Sequence, residues 1–194
     1  MEKGNIKIPI AVSNRHIHLT SADLELLFGD GFKLNKKRDL PQKGQFAAEE
    51  CVSVAGPKGK LEPVRIVGPE RNYTQLEVSK TDSAVLGIDP PLSYGGKASD
   101  PAEVTIVGPK RGIKRKCAVV AMRHIHCSES DAKNFGFKDG DIVSVKAEGG
   151  RSVTFHNVVV RVDKNFVTEM HIDTDEAMAA GILKNIPVYG ILLG

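Results

Sequence analysis

The 194-residue sequence has no tryptophan and only 5% aromatic residues, set against 19 glycines and 10 prolines. That balance argues against a long-helix bundle or coiled coil and favours short strands separated by turns. No apolar run approaches the roughly 20 residues that a membrane-spanning helix needs. Residues 1–7 lack the apolar stretch of a secretory leader, so the expectation is a cytoplasmic protein without a membrane partner. The three cysteines, Cys51, Cys117 and Cys127, form no C-x-x-C pair, which removes a disulfide framework and a cysteine-rich zinc finger and fits a reducing compartment. A net charge of +3 is too small to demand nucleic acid, although it leaves room for an anionic ligand. Also missing are a P-loop, G-x-G-x-x-G, G-x-S-x-G and any RNP or helix-turn-helix signature.

What is there is a repeat. Residues 12–20, V-S-N-R-H-I-H-L-T, are echoed by residues 120–128, V-A-M-R-H-I-H-C-S. Thr20 is followed three residues later by Asp23, and Ser128 likewise by Asp131, a hydroxyl-x-x-acid signal that starts a helix. A second echo aligns T-Q-L-E-V at 74–78 with T-E-M-H-I at 168–172 and runs without a gap to Gly87-Ile88 against Gly181-Ile182. In that register Glu77 matches His171. Two related halves, near residues 8–90 and 116–185, explain both echoes.

Between the echoes lie short β runs. Residues 51–55, 64–67 and 104–107 each end at a Gly-Pro break, and residues 141–146 and 153–162 read as further strands. Short helices are expected after each H-x-H and over residues 175–180. The fold class that follows is mainly β: two small β-barrels with short capping helices, related by internal duplication.

Five of the six histidines belong to the repeated pattern. On a strand, side chains two apart project from one face, whereas on a helix they diverge by about 200°. The runs preceding each H-x-H favour the strand, which pairs His16 with His18 and His124 with His126 and turns Ile17 and Ile125 toward a core. Imidazole pairs on one face suit a divalent metal such as zinc. The competing reading is ordinary surface or core histidines, and duplication with a third donor in matched position favours the metal. The candidate ligand sets are His16, His18 and Glu77, and His124, His126 and His171. Three protein ligands leave a coordination position free, the mark of a catalytic rather than a structural zinc. His156 lies outside the pattern and Cys127 has no counterpart at Leu19, so neither is assigned a role.

If residues 71–77 form a strand, Arg71 shares a face with Glu77 and sets a guanidinium beside the metal. Its planar fork matches phosphate oxygens, and the second half carries Asn165 at that register. The alternative is a solvated arginine near a turn. Arg15 and Arg123 project to the opposite face and are expected to make structural pairs. Two basic runs, Lys33/Lys36/Lys37/Arg38/Lys43 and Lys110/Arg111/Lys114/Arg115/Lys116, read as solvated loops or as a handle for a phosphorylated nucleotide.

The combination V-S-x-R-H-I-H-L, G-P-E-R-x-x-x-Q-L-E-V-S-x-T-D and R-H-I-H followed by T-E-M-H-I-D-T-D-E-A resembles the PduL-type phosphotransacylases, or phosphate propanoyltransferases, over nearly the whole chain. The resemblance implies an enzyme of propanediol utilisation type that interconverts acyl-coenzyme A, propanoyl or acetyl, plus phosphate with acyl phosphate plus coenzyme A. It also implies two zinc ions per chain, held between two β-barrels. The first barrel would span residues 15–122. The second would combine residues 123–194 with an interleaved N-terminal strand, residues 5–14. By position, His16, His18 and Glu77 correspond to ligands of the zinc that meets the coenzyme A sulfur. His124, His126 and His171 correspond to ligands of its neighbour, and Arg71 to the phosphate-handling arginine. Lys36, Lys37, Arg38 and Lys97 are the candidate contacts for coenzyme A. Residues 91–98 read P-L-S-Y-G-G-K-A where many relatives carry P-V-R-x-S-G-D-L, with Lys97 able to compensate in charge.

The remaining expectations are a homodimer and no nucleic-acid partner. Only about seven residues precede the first strand, so a free enzyme is favoured over one in the lumen of a bacterial microcompartment with other microcompartment enzymes as partners. Two other functions use the same histidines. A binuclear zinc hydrolase would need a bridging carboxylate, for which Asp173 and Asp175 are the candidates, although helix-start positions explain both equally well. A metal-stabilised nucleic-acid-binding module would need a fourth protein ligand and would recruit Cys127.

Overall fold

The computed structural model describes residues 6–94, 98–183 and 186–193. In chain order the first elements are β1 (Lys7–Ser13), β2 (His16–His18), α1 (Ser21–Phe28), β3 (Lys36–Asp39), β4 (Phe46–Ala55), β5 (Lys60–Gly68), β6 (Gln75–Glu77) and α2 (Lys80–Leu86). Then follow β7 (Leu92–Ser93), β8 (Ala102–Val107), β9 (Gly112–Ala121), β10 (His124–Cys127) and α3 (Glu129–Phe135). The last are β11 (Ile142–Ala147), β12 (Val153–Val162), β13 (Glu169–Asp173), α4 (Thr174–Ala179) and β14 (Val188–Leu193). Among the described residues no helix is long and apolar enough to cross a membrane.

Strand pairing closes two rings of six strands, so the molecule is mainly β. One ring runs β1-β13-β10-β12-β11-β14. In the other sheet β4, β5, β2, β6 and β9 are successive neighbours, and β8 pairs with both β4 and β9 to close the circuit, with β3 and β7 appended. The rings coincide with two compact units. A contiguous unit spans Asn14–Ala121, and a split unit joins the segment ending at Ser13 to the segment starting at Met122. The divisions fall one residue before the expected 14/15 and 122/123 boundaries.

Each half lends its leading strand to the other half's ring. β9 leads into the H-x-H of β10, yet it lies parallel to β6 in the contiguous unit, with Glu77 opposite Val119. β1 leads toward the H-x-H of β2, yet it lies parallel to β13 in the split unit, with His171 opposite Ala11.

Alternation explains why the histidines are presented as they are. Ile17 and Leu76 are fully buried in the core of the contiguous unit, and Ile125 and Met170 in that of the split unit. Burial of such side chains contributes about 1.5–3 kcal/mol each and fixes which face of the strand turns inward. The adjacent residues, His16 and His18 beside Ile17 and His124 and His126 beside Ile125, are then held on the opposite face.

Helix starts repeat as well. Thr20 caps α1 by accepting from Asp23 N at 3.1 Å, and Ser128 caps α3 by accepting from Asp131 N at 3.1 Å. In each case a threonine next to the ligand-bearing strand bridges the cap: Thr74 Oγ1 donates to Asp23 and Thr168 Oγ1 to Asp131, both at 2.5 Å. α2 was not among the expected helices, although Ser79 and Asp82 form a capping box matched by Asp173 and Glu176 at α4. Arg15 pairs with Asp82, and Arg123 with Glu176 at 2.6 Å, so the arginine of each R-H-I-H grips the third residue of the helix that follows the other ligand-bearing strand. These are the structural pairs expected of the two arginines.

The basic runs are not simply loops. Lys36, Lys37 and Arg38 lie on the exposed strand β3, which pairs with β4 across a bulge, and Lys36 makes an ion pair with Asp39 at 2.9 Å. Lysine is common on such edges because it blocks further strand addition. In the second run Arg115 lies on β9 and grips buried Asp23 at 2.6 Å. Lys97, with Gly95 and Gly96 in the altered 91–98 stretch, lies outside the described residues.

Candidate metal centres

The contiguous unit assembles its cluster on the antiparallel pair β2 and β6, where His16 stands opposite Glu77 and His18 opposite Gln75. The split unit repeats this on β10 and β13, where His124 stands opposite His171 and His126 opposite Glu169. In each cluster, His16/His18/Glu77 and His124/His126/His171, the ligand atoms lie within 4.8 Å of one another. His16 Nε2 is 3.6 Å from Glu77 Oε2, and the His126 and His171 ring centroids are 4.7 Å apart.

In three of the five rings a hydrogen bond fixes which nitrogen is presented. His16 Nδ1 lies 2.8 Å from Asn14 O, His18 Nδ1 3.0 Å from Val67 O, and His124 Nδ1 2.8 Å from Met122 O. A carbonyl oxygen can only accept, so Nδ1 carries the proton and Nε2 keeps its lone pair. This is the arrangement that orients imidazole toward a metal, with the remote nitrogen tied to an acceptor. Glu77 is held by Gln75, whose Nε2 donates to Glu77 Oε1 at 2.9 Å. The residues therefore fit a small, borderline-soft cation such as zinc in donor set, and the tautomers of His16, His18 and His124 suit it.

His18 is only 2% exposed, and its pKa is pushed down to about 2, first by burial and then by the charges of His16 and Arg71. Neutral imidazole is the form that binds metal. The unfolded chain protonates this residue near pH 6.5, so between about pH 2 and 6.5 it binds more protons than the folded one. Stability is thus greatest above pH 6.5 and declines as pH drops below it, by on the order of 1 kcal/mol per pH unit from this residue. In chelator-treated protein, urea midpoints at pH 7.5, 6.5, 5.5 and 4.5 should fall more steeply for the parent than for His18→Gln, and parallel curves would refute the assignment.

Arg71 is not on a strand. β6 begins only at Gln75, and Arg71 sits in the irregular segment before it, with its N–H donating to Leu19 O at 2.9 Å. The period-two argument for its position therefore fails, although its charge still acts on His18. Three side chains beside the clusters were not found by sequence reasoning. Arg161 lies opposite His126 on β12, its Nη1 3.4 Å from His126 Nε2, and Phe166 stacks on the His126 ring at 4.2 Å. The third is Glu169. A signal for Arg161 exists in the ungapped echo, where its counterpart is Val67, so it is a non-duplicated arginine just as Arg71 is.

The residues set aside stay apart from both clusters. Cys127 is fully buried in the core on the face opposite His126, its thiol pushed up by burial, which removes it as a fourth ligand. His156 lies on β12 with Nδ1 2.8 Å from Ser144 Oγ. Asp173 is the N-cap of α4 and accepts from Glu176 N at 2.9 Å, while Asp175 lies in the first turn, so helix initiation accounts for both.

Fold and clusters together define a duplicated two-barrel β protein with, among the described residues, one three-donor cluster in each barrel. The profile of the phosphate propanoyltransferase family matches residues 9–183. Curated relatives with that name agree along most of their length. That of Lachnoclostridium phytofermentans is 49% identical over 93% of this chain and 85% of its own, and that of Priestia megaterium 50% identical over 91% and 82%. That of Salmonella typhimurium is 47% identical over 90% and 83%. The chain belongs to the phosphate propanoyltransferase family, and is thus an enzyme of the acyltransferase class.

Proposed function

We propose that this enzyme interconverts propanoyl-coenzyme A, and acetyl-coenzyme A as a smaller substrate, plus inorganic phosphate with the acyl phosphate plus free coenzyme A. What carries the reading is the occurrence of two three-donor clusters in matched registers of a chain from this family. Zinc is the proposed occupant of both, held by His16, His18 and Glu77 and by His124, His126 and His171, where it would supply a borderline-soft acid for a departing thiolate and positive charge for an anion.

The protein's own groups do the rest. Arg71 offers two parallel N–H donors to phosphate and holds one oxygen free to attack the thioester carbonyl. The carbon–oxygen bond forms as a tetrahedral intermediate, which collapses by breaking the carbon–sulfur bond, with the electron pair leaving on sulfur. No acyl-enzyme is needed, and the two most buried thiols, Cys117 and Cys127, are held above their ordinary pKa by burial, Cys117 at about 12. Lys36, Lys37 and Arg38, exposed along β3, are proposed to meet the phosphates of coenzyme A, as is Lys97.

Thiol release from propanoyl-coenzyme A should require phosphate and yield propanoyl phosphate in equal amount. Release at the same rate without phosphate would establish a hydrolase instead. Elemental analysis of the same preparation should give about two zinc per chain.

A further inference from the structure

The two-stranded ribbon that carries each cluster is short. β2 and β6 share three paired positions, and so do β10 and β13. Both ladders are finished in the same way. One step past the last pair a threonine hydroxyl takes over from the backbone. Thr74 Oγ1 accepts from Thr20 N–H at 3.3 Å and donates to Asp23 Oδ2 at 2.5 Å. Thr168 Oγ1 accepts from Ser128 N–H at 3.1 Å and donates to Asp131 Oδ2 at 2.5 Å. Each latch thus ties the end of the H-x-H strand to the start of the strand that brings the third donor, Glu77 or His171. The task requires a group that accepts and donates at once, and a bond to a carboxylate is among the stronger kinds. Valine has the same shape and can do neither.

Beyond the latch the halves differ. In the contiguous unit Arg71 N–H donates to Leu19 O at 2.9 Å, so the irregular segment 71–74 is fastened to the end of β2 at both of its own ends. Asp23, which receives the Thr74 proton, is 5% exposed and is itself gripped by Arg115 at 2.6 Å. In the split unit Cys127 O, the counterpart of Leu19 O, accepts from Asp163 N–H at 3.2 Å. Asn165, at the register of Arg71, donates its N–H to Asp163 Oδ1 within its own loop.

We infer that Thr74 and Thr168 are positioning residues of the two centres. Thr74 sets the place of both Glu77 and Arg71, and Thr168 sets that of His171. This inference rests on the metal and phosphate readings above, and the experiment separates them.

Thr74→Val and Thr168→Val remove the hydroxyl, and Thr74→Ser and Thr168→Ser keep it. Should a valine variant not fold, the alanine variant of the same residue replaces it. The full-length chain is stripped with a chelator, titrated with cobalt(II) and read by visible absorption, then assayed at saturating zinc. Each valine variant should weaken one of two sites by about ten-fold or more and change its spectrum, with the other site unmoved. Each serine variant should bind within about three-fold of the parent. Thr74→Val should lower kcat/KM for phosphate about ten-fold in the parent, but by no more than about three-fold in an Arg71→Ala background. Thr168→Val should cost the same in both backgrounds. Parental affinity and spectrum in both valine variants would overturn the inference alone. So would serine variants that behave like the valine ones, because the hydroxyl would then not be the acting group. An equal loss from Thr74→Val in both backgrounds would overturn its placing of Arg71. A parent that binds no metal would overturn the inference together with the reading beneath it.

Discussion

Replacing Arg71 by alanine should lower kcat/KM by about 10²–10³-fold while both metals stay bound. The magnitude is that of removing one preorganised donor from a site where charge accumulates, about 3–4 kcal/mol of transition-state stabilisation. Metal should be retained because Arg71 contributes no ligand atom to the adjacent cluster, and its backbone, tied to Leu19 O, is unaffected by truncation. Arg71→Lys should recover only part of the loss, since a point charge replaces a planar fork. The loss should also appear mainly as a raised KM for phosphate if the arginine binds the ground state, or mainly as a lowered kcat if it acts in the transition state. Turnover within a few-fold of the parent would remove Arg71 from the reaction.

The second large effect is expected at the clusters themselves. His16→Ala and His124→Ala should each reduce zinc from about two to about one per chain, and each should lower activity at least about 10³-fold, because several kcal/mol of charge stabilisation are lost with the ion. The halved content is the more informative reading. Each cluster is assembled from one pair of strands within one unit, β2 with β6 or β10 with β13, so losing a ligand in one leaves the other's donors in place. A variant that keeps both metals, or loses both, would contradict that independence.

Much of the site could be read from the chain because its geometry is local. Two residues apart on a strand means one face, and the repeated R-H-I-H marked both pairs as candidates. The ungapped second echo then led to Glu77 and His171 without any knowledge of pairing. What escaped depends on register between strands, which no single segment encodes. Arg161 reaches His126 only because β12 lies parallel to β10 in one alignment, and Glu169 stands across from His126 for the same kind of reason. β3 was hidden because K-K-R-D has little intrinsic strand preference, so its conformation comes from pairing with β4. The position of Arg71 was argued from a strand that starts four residues too late to include it. α2 carried a legible capping box at Ser79 and Asp82 but is a helix of seven residues, with little periodicity to notice.

The exchange of leading strands also sets an order of events on the ribosome. The contiguous barrel has every one of its strands once residue 121 has emerged, and can close while the rest of the chain is still being made. β1, which is translated first, must wait much longer: its contact between Ser13 and His171 spans 158 residues, and its other neighbour is the last strand, β14. Until then it is an apolar ribbon with both flanks unsatisfied, prone to pair with a neighbouring nascent chain. The oldest segment of each molecule is thus among the last to find its place, and the cluster of His124, His126 and His171 assembles after that of His16, His18 and Glu77.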